Sequence, residues 1–320
     1  MKFGLAAPHR GPLSNADDLR LIAERAEQLG YDYLSVSDHI VIPRKIADNY
    51  PYSDTGSFTA SQQGMLDSME QFTLLAWLAA ATSKIGLLTS VVVVPHRNPL
   101  FMAKSLATTD VLSGGRVTVG CGAGWMREEF EALNLPDFDA RGRVTTEYIE
   151  AMKVAWTSSD PAYDGEFVRF SNIDVQPSPL SKPHPPIWIG GESKAAMRRV
   201  VAVGDGWYPF GSNPKFRMNT VAKYTARRDM LFALADAAGR DPESITLSYN
   251  SAFHHHTEQT SPDDDGRLAF TGTPDQRADD IQSFHACGIR NFMINVTSFD
   301  RNEMLDRMEE FASNVMPLVR

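Results

Sequence analysis

The sequence predicts an α/β chain folded as one (β/α)8 TIM barrel with insertions after strands 2 and 4, and three observations lead there. Short apolar runs alternate about eight times with longer amphipathic segments, the signature of βα units around a parallel sheet. The third run, residues 85–94, is dense in β-branched residues and suits a strand buried on both faces. The length of 320 residues accommodates one barrel of roughly 250 residues plus insertions, so no second domain is required.

The elements follow in order. Strand 1 is read over 3–7, and the helix after Ser14 repeats Leu19, Ile22, Ala23, Ala26 and Leu29 at helical spacing until Gly30 stops it. Strand 2 is 33–36. Residues 40–67 then lose periodicity among Pro, Gly, Ser, Asp and Tyr and read as a lid-sized insertion. A helix over 69–82 leads to strand 3, and one over 99–112 ends at Gly114-Gly115 before strand 4 at 116–120. The next helix is delayed to 141–156. Residues 158–186 form a second excursion, with a hairpin at 163–167 and a stiff connector at 177–186. Strand 5 at 187–189 precedes a helix through Val203, strand 6 lies at 206–208, and a long helix at 216–238. Strand 7 at 245–251 is followed by a helix capped by Thr273-Pro274. Strand 8 at 291–296 and a helix over 301–315 close the ring.

A net charge of −9, from 40 acidic and 31 basic residues, argues against nucleic acid or an anionic membrane surface as partner. Two cysteines, Cys121 and Cys287, are too few and too far apart for a disulfide-stapled or zinc-knuckle domain. The apolar stretch 3–8 is too short for a signal-peptide core, and no run approaches the roughly 20 apolar residues of a membrane span. The expectation is a cytoplasmic enzyme acting on a small molecule.

In such a barrel the chemistry sits after the strands. Those positions hold His9 and Arg10, Asp38 and His39, His96, Arg97 and Asn98, Trp125, Gly190-Gly191-Glu192-Ser193, and Trp207. One loop histidine means little; three in register point to a site. Gly190-Gly191-Glu192-Ser193 stands where a strand meets a helix amino terminus, which favours a phosphate over the alternative of a tight turn with a serine cap. Gly120-Cys121-Gly122-Ala123-Gly124 lacks the last glycine of a dinucleotide fingerprint and reads as a close approach of a ring or a chain. His254-His255-His256 invites a metal, but no third ligand stands at a recognisable spacing and a polar loop is expected, with no metal. Tyr50-Pro51-Tyr52 and Phe58 offer a cover for an apolar substrate or for the lid's own packing.

Ser37-Asp38-His39 resembles the second-strand signature of the coenzyme F420-dependent members of the bacterial luciferase-like superfamily. Further likenesses follow in order at Leu88-Thr89-Ser90-Val91, Arg97-Asn98-Pro99, the segment 109–116 ending Leu-Ser-Gly-Gly-Arg, 120–125, Pro185-Pro186-Ile187-Trp188-Ile189-Gly190-Gly191 and Gly204-Asp205-Gly206-Trp207. Together they cover residues 1–210; beyond Phe216 only the strand and helix pattern matches.

The resemblance implies that His39 lies against a flavin-type ring, where imidazole stabilises charge or moves a proton. It implies that Asp38 orients that ring. It also implies a non-proline cis peptide behind the ring, matched here by Ser90-Val91. Ala6, Thr89, Gly120, Gly122, Ala123, Gly124, Gly190, Gly191, Glu192, Ser193 and Trp207 are then the remaining cofactor contacts, with His9, His96 and Trp125 toward the substrate. Trp125 stands where relatives acting on sugar phosphates carry an acidic residue, which counts against that substrate. Four readings stand side by side: coenzyme F420-dependent hydride transfer, a reduced-FMN monooxygenase, a metal-dependent hydrolase built on His9, Asp38, His39 and His254, and a non-catalytic flavin-binding protein. Relatives are often dimers, so a homodimer is expected.

Overall fold

The computed structural model describes residues 1–47, 49–58, 68–251, 254–263 and 266–320. Eight parallel strands close a barrel: β1 (Lys2–Ala6), β2 (Tyr33–Val36), β3 (Gly86–Val93), β4 (Val117–Gly122), β7 (Ile187–Gly190), β8 (Gly206–Tyr208), β9 (Thr246–Ser251) and β10 (Asn291–Ile294). The hairpin expected at 163–167 is present as the antiparallel pair β5 (Tyr163–Asp164) and β6 (Arg169–Phe170), outside the barrel.

Helices α1 (Ala16–Gln28), α2 (Gln71–Ala81), α3 (Pro99–Ser113), α5 (Arg141–Thr157), α6 (Lys194–Val203), α7 (Val221–Ala237), α8 (Pro274–Ala286) and α9 (Arg301–Asn314) follow the barrel strands, and α10 (Met316–Val319) ends the chain. Their starts are set by side-chain caps. Asn15 rather than Ser14 accepts from Asp18 N, and Thr273, the expected cap, forms a capping box with Gln276. Gly114, at φ 75°, ends α3 in the left-handed conformation a side chain resists. The expected helix 216–238 starts later, because Thr220 takes the capping position and accepts from Lys223 N.

A short helix that the periodicity does not reveal, α4 (Arg127–Ala132), lies between β4 and α5. The excursion at 158–186 runs from α5 to β7, so it meets the end of the barrel away from the loops that follow the strands. Ser181, Lys182 and His184 line a groove of about 680 Å³ there with Lys2, Gly86 and Val117. It therefore lies away from the mouth.

The main core lies between sheet and helices, built from fully buried residues such as Phe3, Leu5, Ile22, Leu34, Val119, Ile187 and Phe292. A second cluster, Tyr33, Leu88, Trp188, Tyr208 and Met293, comes from five strands and fills the barrel interior. Tyr208 and Met293 of that cluster also form the floor of the mouth. Among the described residues, no helix is long and apolar enough to cross a membrane.

Candidate active site

The loops after the strands enclose a cavity of about 730 Å³. Of the sequence-predicted residues, Ala6, His9, Arg10, Asp38, His39, Ser90, Val91, Gly122, Ala123, Gly124, Trp125, Gly190, Gly191, Glu192 and Ser193 line it. Thr89, His96, Gly120 and Trp207 do not.

Each exception has a physical reason. Thr89 is fully buried and donates its hydroxyl to the Gly120 carbonyl at 2.8 Å. A Cβ on Gly120 would run into the Thr89 carbonyl, so this glycine makes room for β3 rather than for a ligand. Trp207 is fully buried, stacks on Tyr224 and donates Nε1–H to the Gly191 carbonyl at 2.9 Å, pinning the turn that does line the cavity. His96 packs edge-on against Phe130 with Nδ1 3.8 Å from Glu129, and burial pushes its pKa down.

The Ser90-Val91 peptide is cis, and the β3–β4 register shifts between Thr89 and Val92. Val91 bulges toward β4, where a Cβ on Gly122 would come 2.5 Å from its Cγ2. Beneath it, the Ser90 hydroxyl lies 3.0 Å from the Tyr208 hydroxyl, which accepts from Asn250 Nδ2 at 3.0 Å. All three line the cavity.

Both carboxylate oxygens of Asp38 are engaged by the protein itself. Its Oδ2 accepts from Val93 N at 2.9 Å and from Arg97 Nη1 at 2.7 Å, and its Oδ1 accepts from Arg97 Nη2 at 2.8 Å. This buried, bidentate pair ties the β2 and β3 loops together. His39, next in the chain, donates Nδ1–H to Glu129 Oε2 at 2.8 Å, while Glu129 Oε1 accepts from the Ile40 and Val41 amides at 2.8 and 3.3 Å. Burial alone would raise the Glu129 carboxyl. The His39 hydrogen bond, the His39 and His96 charges and the Ile40 N–H hold it below its usual range instead. Glu129 sits on α4, and the sequence reading missed it because α4 itself carries no clear period; the acidic pair Glu128-Glu129 shortly after the glycine-rich strand end was the available cue.

His9 is buried between the Ala7 carbonyl, 3.0 Å from its Nδ1, and the Ser37 hydroxyl, 2.6 Å from its Nε2. Burial lowers its pKa to about 4, so it enters the site neutral. Glu192 is buried too, accepting from Phe210 N at 2.8 Å and Asn213 Nδ2 at 2.7 Å, and burial raises its pKa.

At the β7 end the predicted cradle is a glycine at φ 103°, Gly191, followed by Ser193, whose hydroxyl accepts from Ala196 N and caps α6. Two arginines that the sequence reading missed, Arg141 and Arg199, line the cavity near it. They are oriented by main-chain carbonyls rather than carboxylates: Arg141 donates to Gly124 and Phe138, Arg199 to Gly142. Cations near a helix amino terminus form an anion site, and the donors present fit the phosphate of a flavin-type cofactor.

The first insertion covers the cavity with rings. Tyr50 meets Trp125 at 5.0 Å and Phe58 at 5.2 Å, Phe58 meets Trp125 at 5.3 Å and His39 at 5.5 Å, and Tyr52 meets Phe210 at 4.8 Å. Residues 59–67 of that insertion lie outside the described residues. His254 lies elsewhere, 3.2 Å from Arg277 and edge-on to Phe311. Among the described residues, no three His, Cys, Asp or Glu side chains converge as a metal set.

A model of the family described as luciferase-like monooxygenase matches residues 1–261. The chain is 28% identical over 305 residues to an FMNH(2)-dependent dimethylsulfone monooxygenase of Pseudomonas putida, covering 82% of each chain. Its fold matches that of the coenzyme F420 dependent tetrahydromethanopterin reductase from Methanopyrus kandleri, with a TM-score of 0.76 at 16% identity over 100% of this chain and 99% of that one. It equally matches monooxygenase RslO1 from Streptomyces bottropensis, with a TM-score of 0.75 at 23% identity over 99% of each chain. With its closed barrel, its strand-end cavity and a family match over most of its length, the chain belongs to the luciferase-like monooxygenase family and is an oxidoreductase of that kind.

Proposed function

We propose that this oxidoreductase uses coenzyme F420 for hydride transfer to or from a small organic substrate in the mouth cavity. The observation that carries the reading is the His39–Glu129 pair. Moving a hydride onto or off a carbonyl carbon requires a proton to move with it, and this pair is built for that. Glu129 holds Nδ1, which leaves Nε2 as the free nitrogen of a ring that lines the cavity. Coenzyme F420 would donate the hydride when reduced and accept it when oxidised, whereas reduced FMN would also react with O2. Arg141, Arg199 and the amide end of α6 would hold the cofactor phosphate. Val91 would back its ring, and the rings of the first insertion would exclude water. Ser37-Asp38-His39 supports the deazaflavin. In this reading Asp38 acts as a positioning residue for His39 rather than as a cofactor contact.

The relationship to an FMNH(2)-dependent monooxygenase supports a second reading, in which the same cavity serves reduced FMN. Anaerobic titration of the purified protein with coenzyme F420 and with FMN, each oxidised and reduced, separates the two. Micromolar binding of the deazaflavin alone is the expected result. Preference for reduced FMN moves the chain to the monooxygenase reading, and binding of neither defeats both. We also read the chain as a cytoplasmic homodimer; Phe101 and Leu112, exposed on α3, support an apolar contact, and a monomer by light scattering at micromolar concentration counts against it.

A further inference from the structure

Arg10 follows β1 and lines the cavity. Unlike Arg97, Arg141 and Arg199, it has neither a carboxylate nor a carbonyl to hold it: no described residue hydrogen-bonds to its guanidinium or forms an ion pair with it. Among the described residues, the ionisable groups close enough to act on it are Tyr50 and His9, one a phenol and the other a buried neutral imidazole. A partly buried guanidinium without a partner is costly, and the cost is relieved when an anion enters.

Position separates Arg10 from the phosphate end. In the barrel order β1-β10-β9-β8-β7-β4-β3-β2, the strand four places from β1 in either direction is β7. Arg10 after β1 and the Gly191–Ser193 turn after β7 therefore stand on opposite walls of the mouth. The two walls also differ in charge. The β7 wall has Arg141, Arg199 and a helix amino terminus, suited to a phosphate. Among the described residues the β1 wall has one cation, Arg10, close to Tyr50 of the ring cage that Tyr50 forms with Phe58 and Trp125.

We propose that Arg10 is the anchor for the substrate, and that the substrate is a small organic monoanion: a carboxylate or sulfonate head on Arg10, with an apolar or aromatic body in the ring cage. This rests on the reading of the mouth as the cofactor and substrate cavity. A planar guanidinium pairs with such a head through two parallel N–H donors, and aromatic walls complement a flat apolar body. Arg10 thus sets specificity without joining the proton pair at His39.

The test compares phenylacetate with the near-isosteric neutral phenylacetamide by calorimetry on the full chain, alone and loaded with whichever reduced cofactor it takes. The expected result is that phenylacetate binds about tenfold tighter or more, and that Arg10→Gln removes the preference while leaving cofactor affinity unchanged. Arg10 makes no structural hydrogen bond, so this variant folds. Equal binding of the two probes, binding of neither, or a preference that survives Arg10→Gln overturns the proposal. So does a matching loss of cofactor affinity in Arg10→Gln, which makes Arg10 a cofactor ligand. An Arg10-dependent preference in a protein that binds neither coenzyme F420 nor FMN sustains the anchor and defeats the cofactor reading.

Discussion

Nδ1 of His39 lies 2.8 Å from Oε2 of Glu129, a contact that joins the loop after β2 to a helix ninety residues later in the chain. The same carboxylate accepts from the amides of Ile40 and Val41, so it fixes both the imidazole ring and the main chain that carries it. This is the arrangement by which a buried acid selects one tautomer of a histidine and fixes its ring orientation.

Removing either member should slow turnover. His39→Ala is expected to lower kcat by about 10²-fold or more, and Glu129→Gln by a comparable factor, because the amide can turn its NH2 toward Nδ1 and favour the wrong tautomer. A purely structural Glu129 would weaken cofactor and substrate binding along with turnover. A proton-pair partner lowers kcat with affinities held, and a matching loss of affinity in Glu129→Gln would reject the assignment.

Asp38 and Arg97 make a second prediction, about stability. Both are buried and bidentate, with Arg97 also reaching Glu70 at 2.9 Å. Asp38→Asn or Arg97→Met should each cost about 3 kcal/mol in urea unfolding, the scale for breaking a buried pair. The double variant should cost clearly less than the sum, since the second change removes a charge the first had left alone. Additive losses would mean that the two side chains act separately.

The eight-strand repeat was legible because buried parallel strands and amphipathic helices leave period and composition in the sequence. The cap at Thr273 and the stop at Gly114 were legible because their residue types have one physical use there. What failed shares one cause. Sequence position does not reveal that Asp38 pairs with Arg97, that Trp207 is consumed pinning Gly191, or that Glu129 meets His39, because each depends on a partner far along the chain. Position after a strand identifies the neighbourhood of a site. It does not say whether a side chain turns into the cavity or is consumed holding the loop, and that choice decided the placement of Thr89 and Trp207.

The fit between Val91 and Gly122 can be tested by size exchange. An added Cβ at 122 meets Val91 Cγ2 at 2.5 Å, so Gly122→Ala should destabilise by about 1–3 kcal/mol through overpacking. Val91→Ala opens space on the other side of the same contact. In thermal unfolding, the double variant Gly122→Ala/Val91→Ala should therefore be more stable than the sum of the single losses predicts. Simple additivity would show that the two residues do not share the contact.

Acid should destabilise the fold in a window above that of the carboxylates held below their ordinary values. Burial lowers His9 to about 4 and His254 to about 3, from an ordinary histidine value near 6.5. Between those limits the unfolded chain binds protons that the folded chain refuses. Stability is therefore full above about pH 6.5 and falls as pH drops, until each folded histidine at last takes its proton. Each of the two should lose roughly 2 kcal/mol between pH 6.5 and pH 5. Glu129, Glu70 and Asp18 have folded values held below their ordinary ones, so their contributions are lost only at lower pH, below about 4.5. Urea unfolding at pH 7 and pH 5 checks the sign and the size together. His254→Gln keeps an acceptor for Arg277, and His9→Gln keeps one for the Ser37 hydroxyl; each variant should lose less stability than the wild-type chain between the two pH values. A wild-type protein equally stable at both, or variants that lose as much as it does, would contradict the burial of these histidines in neutral form.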